Sequence, residues 1–184
     1  FPQLYLPEIV QLSPAKKNEV ANNISKAIQR IAIFQTSGGG FGYWPGDNYN
    51  DEWATNYVGH FLIEAKAKGY YVPDNIINKW ISYQSKKAVN YKDEVDYLNH
   101  TQAYRLYTLS RAGKPEVGAM NRLKSAKNLD QASMHNLAAA YAVIGKEDIA
   151  KQLLTNTKAE VVYAYNRNYD YYTYGSDLRN KAIY

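Results

Sequence analysis

Between residues 38 and 57 the chain reads Gly-Gly-Gly-Phe-Gly-Tyr-Trp-Pro-Gly-Asp-Asn-Tyr-Asn-Asp-Glu-Trp-Ala-Thr-Asn-Tyr. Glycine at this density excludes regular helix and lets the backbone turn tightly and pass close to other groups. The aromatics placed among the glycines need somewhere to go. Phe41, Tyr43 and Trp44 are expected to fold back as apolar plugs between helices. The stretch then runs straight into a helix that begins at Trp53 and Thr55.

Helical periodicity surrounds this loop. Ser13-Pro14 is an N-cap and N1 pair, followed by Val20, Ile24, Ala27, Ile28 and Ile31, so 14–36 reads as an amphipathic helix. A second helix carries Trp53, Tyr57, Phe61, Leu62 and Ala65 on one stripe and stops at Gly69. Pro73 restarts the chain, with Ile76, Ile77, Trp80 and Ile81 marking a third helix, and the polar residues 86–95 read as loop. A fourth helix spans about 96–112 and ends at Gly113, and a fifth runs from Pro115 to about 126. Asp130 caps a sixth, with Met134, Leu137, Ala138, Tyr141 and Ala142 at helical offsets, ended by Gly145. Residues 147–156 form a seventh, and Ser176 caps an eighth beyond the tyrosine-rich 161–174.

No segment alternates convincingly as a strand. Short glycine-stopped turns imply stacked antiparallel helix pairs. The uneven spacing of Gly69, Gly113 and Gly145 fits a partial α/α toroid of helical hairpins better than a solenoid of fixed period. The expected fold is therefore all-α, with seven or eight helices in a single domain over 1–184.

Composition excludes several functions. With no cysteine the chain can form neither a disulfide nor a thiolate nucleophile, and cysteine metal sites are ruled out. The net charge of +5 comes from dispersed pairs such as Lys16 and Lys17 or Lys86 and Lys87, without a recognition motif, so no nucleic-acid partner is expected. No apolar run approaches a membrane span. The nineteen tyrosines suit half-buried seams and wet contact surfaces. The chain opens at Phe1-Pro2-Gln3 without an initiator Met and reads as a piece of something longer, truncated at both ends.

Several stretches resemble, in order, bacterial alpha-2-macroglobulins. Phe1-Pro2-Gln3-Leu4-Tyr5-Leu6 is similar to the segment just after their Cys-x-Glu-Gln thioester motif. Gly39-Gly40-Phe41-Gly42-Tyr43-Trp44 resembles their Gly-Gly-Phe-x-x-Trp loop, and Trp53-Ala54-Thr55-Asn56-Tyr57 their Trp-x-Thr-x-Tyr helix start. Gly69 through Val72-Pro73 resembles a Gly-x-x-Val-Pro turn, and Gly175 through Ala182 a Gly-Ser-x-x-Arg-Asp-x-Ala motif with Asn180 in place of Asp. The resemblance implies a thioester domain, an α/α toroid related in shape to terpenoid cyclases. It also implies a protease-trapping parent in the periplasm or cell envelope, in which a protease is captured after an internal thioester is exposed. This chain has no cysteine to form that bond, so it is expected to be a non-catalytic scaffold, with the motif a few residues before Phe1. Its implied partners are target proteases, through the full-length parent, and other domains of that parent. An unclosed ring exposes apolar helix faces, so pairing with a second copy is also expected.

Tyr43, Trp44 and Trp53 are the candidates for shielding a thioester pocket, with a core-plug role as the plainer reading. His100 is the candidate for an acyl-transfer histidine of the complement type, against an ordinary helix-start residue. His60 and His135 show no metal-ligand spacing with Asp, Glu or each other, so neither metal nor cofactor is expected. Asp93, Glu94 and Asp96 cluster before a helix, where acids suit the positive end of its dipole. Those acids, with the Tyr169, Tyr171, Tyr172 and Tyr174 run, leave open an (α/α)-toroid carbohydrate-active enzyme such as a polysaccharide lyase. A helical-repeat interaction scaffold is the other alternative.

Overall fold

The structure is a computed structural model that describes residues 1–92, 96–127, 129–155 and 157, with 96 and 97 described by backbone alone. Among the described residues a 3-10 turn, Pro2–Leu4, precedes eight α-helices: α1 (Leu6–Ile9), α2 (Pro14–Ala32), α3 (Glu52–Ala67), α4 (Asp74–Asn90), α5 (Asp96–Arg111), α6 (Val117–Lys124), α7 (Gln131–Val143) and α8 (Glu147–Thr155). Among the described residues there is no strand, only one isolated bridge between Gln35 and Phe41. All seven helices expected before residue 157 are present, and α1 is an addition. The eighth expected helix at Ser176 and the tyrosine-rich 161–174 lie outside the described residues.

The chain divides into two compact units, Phe1–Tyr83 and Gln84–Tyr184. In the first, Ser13 Oγ accepts the Lys16 N–H at 3.4 Å and starts α2, whose Val20, Ile24 and Ile28 are buried one turn apart. This helix ends at Ala32 rather than 36, because Gln35 leaves to bridge Phe41 and its Nε2 donates to the Gly39 and Ile76 carbonyls. Asp51 Oδ1 accepts the Ala54 N–H at 2.6 Å and starts α3. At its far end Gly69, with φ 86°, lets the Tyr70 N–H reach the Ala65 carbonyl. Gly113 and Gly145 close α5 and α7 with the same pair of reversed hydrogen bonds.

In the second unit α5 packs chiefly on α7, and α7 also packs on α8. From Asn99 to Ser110 nearly every residue of α5 is buried, so it has no polar face turned to water. Several of its polar groups are bonded within the unit. Gln102 Nε2 donates to the Ala88 carbonyl at 3.1 Å, Arg105 Nε to Gln84 Oε1 at 3.0 Å, and Tyr91 Oη to Asn99 Oδ1 at 2.7 Å. Gln84 and Ala88 belong to the last turns of α4, which continues to Asn90. The expectation of a loop from residue 86 is corrected accordingly. Lys86 and Lys87 look like loop composition, but Ala88 between them and Asn90 is fully buried. On α7, Leu137, Ala138 and Tyr141 are buried as expected, whereas Met134 is half-buried and Ala142 exposed. Ala132, Ser133 and Ala140 take their places.

Candidate functional site

The first unit holds two linked constructions on opposite sides of α3. On one side Thr55 serves as a junction. Its Oγ1 accepts the Phe41 N–H at 2.9 Å, and its carbonyl accepts the Trp80 indole N–H at 2.9 Å. Gly59 lies directly beneath the Trp80 indole, where no Cβ fits. Gly39, with φ 97°, lies equally close to the Lys79 backbone. Thr36 Oγ1 bonds Asn50 Oδ1 at 2.7 Å and closes the base of the loop. Phe41 is thus a buried plug held on α3, as its sequence position suggested.

Tyr43 and Trp44 are not plugs. They are 47% and 73% exposed, which corrects the sequence reading. The reason is the turn at Trp44-Pro45-Gly46-Asp47. The Asp47 N–H donates to the Trp44 carbonyl at 3.2 Å, Asp47 Oδ2 accepts the Trp44 N–H at 3.0 Å, and Gly46 has φ 85°. The chain reverses there before Trp44 can reach the core. Trp53, the second residue of α3, is half-buried. Of the stripe expected on α3, Phe61, Leu62 and Ala65 are buried as read, but its first turns differ. Tyr57 is 46% exposed, while Thr55, Asn56 and Gly59 are buried, Thr55 bonding Phe41 of the loop and Gly59 lying under Trp80.

The other side of α3 binds the N-terminal segment. Tyr57, His60, Phe61 and Glu64 lie at offsets 0, 3, 4 and 7, one face of the helix. The Phe1 ring meets three of them, with centroid distances of 5.4 Å to Tyr57, 4.9 Å edge-on to His60 and 6.1 Å to Phe61. Tyr5 Oη donates to Glu64 Oε2 at 2.7 Å, and Lys68 Nζ lies 4.2 Å above the Tyr5 ring while pairing with Glu8. The Glu64 carboxylate is buried, and His60 Nε2 is 3.7 Å from its other oxygen, an ion pair when the imidazole is protonated. Partial desolvation raises the Tyr57 phenol above the ordinary tyrosine value even though the residue remains half-exposed. From the sequence His60 is assigned no metal-ligand spacing and no other role. Its spacing of four from Glu64 on a helix was the available signal.

His100 belongs to the second unit, where it is buried on the second turn of α5. Its Nδ1 lies 4.0 Å from Asp130 Oδ1, and Asp130 caps α7 by accepting from the Ser133 N–H at 2.8 Å and hydroxyl at 2.7 Å. Tyr43, Trp44 and Trp53 all lie in the first unit. Among the described residues no three His, Asp or Glu side chains gather as a metal site, and no helix is long and apolar enough to cross a membrane. Asp93 and Glu94, the Tyr169–Tyr174 run and the Gly175–Ala182 motif lie outside the described residues, as does the side chain of Asp96.

A family model described as the A-macroglobulin TED domain matches residues 3–166. The chain belongs to the A-macroglobulin TED domain family. Among curated A-macroglobulin relatives, the alpha-2-macroglobulin homolog of Yersinia pestis is 25% identical over 163 residues, covering 84% of this chain and 8% of the relative. The alpha-2-macroglobulin of Escherichia coli K12 is 27% identical over 177 residues, covering 88% of this chain and 10% of the relative. The chain thus spans a tenth or less of these proteins. Native E. coli alpha-2-macroglobulin, in a crystal structure from domain MG7 to the C-terminus, superposes with a TM-score of 0.79 at 21% identity, covering 98% of this chain and 30% of that one. Salmonella alpha-2-macroglobulin reacted with methylamine gives 0.79 at 22%, covering 98% of this chain and 12% of that one. These likenesses show a shared all-α fold, the TED fold that the loop and helix motifs anticipated.

Proposed function

We propose that this chain is the scaffold of the thioester domain in a bacterial alpha-2-macroglobulin-like protein that traps proteases, and that it turns over no substrate itself. The observation that carries the reading is the docking of the N-terminal segment. Residues 1–6 resemble the stretch that follows the family's thioester motif, and Phe1 and Tyr5 fasten that stretch to α3 through the Tyr57–Glu64 face. A reactive acyl bond just upstream needs a fixed exit and a dry surface until it is triggered, and aromatic rings with one buried carboxylate anchor supply both. Trp53 is a candidate for shielding the thioester, and His100, separately, for acyl transfer. Tyr43 and Trp44, being exposed at a loop tip, fit contact with a covering domain better than the pocket wall. The parent's targets are proteases, and its place is the periplasm or cell envelope.

The test uses the full-length gene product. Methylamine is expected to release one free thiol per chain and to abolish covalent retention of a protease added afterwards. Absence of thiol release together with absence of protease retention overturns the reading.

A further inference from the structure

The tip of the glycine loop presents the first unit's most exposed tryptophan, and the packing that holds it there is unusually tight for a surface turn. Tyr43 and Trp44 stand on one limb of a hairpin and Tyr49, 71% exposed, on the other. The limbs are pressed together. A Cβ on Gly42 would lie 2.7 Å from Asp47 Cβ and 2.9 Å from the Tyr49 carbonyl oxygen. The two hydrogen bonds between Trp44 and Asp47 fix the turn, and those of Thr36–Asn50 and Phe41–Thr55 fix its base. A rigid aromatic display loses little conformational entropy when something binds it.

Charge sets the chemistry of what binds. From residue 31 to residue 65 there is no Lys or Arg, while Asp47 lies in the turn itself and Asp51 and Glu52 follow at the start of α3, in a chain whose net charge is +5. An exposed indole beside carboxylates attracts cationic side chains, through the ring face and through the field. Two copies of a net-positive chain repel overall, which disfavours self-pairing. Area sets the scale. Aromatic side chains offer about 150–250 Å² each, so the exposed parts of these three sum to roughly 400 Å², about half of one partner's share of a standard interface. That suits the anchoring centre of a larger contact. The family relatives extend far beyond the matched region, which is 8% of one and 10% of another, so other domains are the available occupant.

We propose that the Tyr43–Trp44–Tyr49 tip is the docking anchor for another domain of the parent chain, and that this domain meets it with a lysine-bearing surface. The proposal rests on the reading of the chain as one part of a longer macroglobulin. Hydroxyl-radical footprinting with peptide mass spectrometry compares the 184-residue chain with the full-length gene product. Oxidation of the peptides carrying Trp44 and Tyr49 is expected to fall about fivefold or more in the full-length protein, as for side chains desolvated at an interface core. In full-length Trp44→Ala, oxidation at Tyr49 is expected to return to the level of the 184-residue chain. Zero-length carbodiimide coupling is expected to join Asp47 to a lysine outside residues 1–184. A gene product with no further domains overturns both this proposal and the reading beneath it. Equal oxidation in a longer product overturns the docking alone. If the 184-residue chain is already protected, and light scattering shows a dimer that Trp44→Ala dissolves, the occupant is a second copy and the proposal fails. Coupling of Asp47 only to lysines within 1–184 refutes the basic partner.

Discussion

Gly59→Ala adds one methyl to α3 at the point where the helix carries Trp80. The new Cβ would fall under 3.0 Å from three atoms of the indole, closer than real Cβ contacts come. Trp80 is almost fully buried and has no room to retreat. Overpacking a filled core costs about 1–3 kcal/mol. Displacing the ring also breaks the indole bond to the Thr55 carbonyl, and an unsatisfied buried group costs about 1–3 kcal/mol. Alanine's better helix propensity offsets about 1 kcal/mol. The net loss is about 3 kcal/mol from these terms, or about 6–12 °C in midpoint for a chain of this size. Gly118→Ala supplies the contrast. It lies in α6, its nearest neighbour would be the flexible Arg122 Nη1 at 3.8 Å, and helix propensity alone should stabilise it by up to about 1 kcal/mol. Thermal and urea unfolding followed by tryptophan emission measures both. Equal stability of the two variants, or a Gly59→Ala protein as stable as the parent, refutes the packing argument.

Tyr5→Phe removes the hydroxyl that Glu64 accepts and leaves a buried carboxylate oxygen short of a donor, at a cost of about 1–3 kcal/mol. Hydrogen exchange should speed up across residues 2–9 and stay unchanged in α5; uniform exchange in both would refute a local clasp. Burial holds the His135 imidazole below the ordinary histidine value, and the Asp130 carboxylate only partly opposes this. Between the depressed folded value and the unfolded value the unfolded state binds more protons, so stability is full above about pH 6.5 and is lost as pH falls through the folded value. His135→Gln should therefore flatten the decline in melting temperature between about pH 7 and pH 5. An unchanged slope removes His135 as a contributor.

Helix existence was legible because its signals are local. Ser13-Pro14, Asp130 and the glycines at 69, 113 and 145 act within a turn of their own residue, and the structure uses each as read. What escaped the sequence depends on partners far along the chain. The last turns of α4 persist because Gln84 and the Ala88 carbonyl bind residues of α5. Thr55 is buried although polar, since Phe41 bonds its hydroxyl and Trp80 its carbonyl, and an apolar stripe is blind to that. Trp44 was misjudged because its hydrophobicity was weighed without the turn at Gly46, which decides its direction. Half of the clasp at the chain's start is written in the 57, 60, 61, 64 spacing, which the stripe through Trp53, Tyr57, Phe61, Leu62 and Ala65 captures only at Tyr57 and Phe61. The other half, Phe1 and Tyr5, comes from a segment with no helical period of its own.

The enclosed bonds of α5 have a consequence for how that unit finds its alignment. Leucine and alanine surfaces pack nearly as well after sliding by one turn. The Gln102–Ala88 and Arg105–Gln84 bonds do not, since a shift of about 5.4 Å strands a guanidinium and two amides away from water. The greasy contacts supply cohesion, and these few keyed groups act as a combination lock that rejects every offset but one.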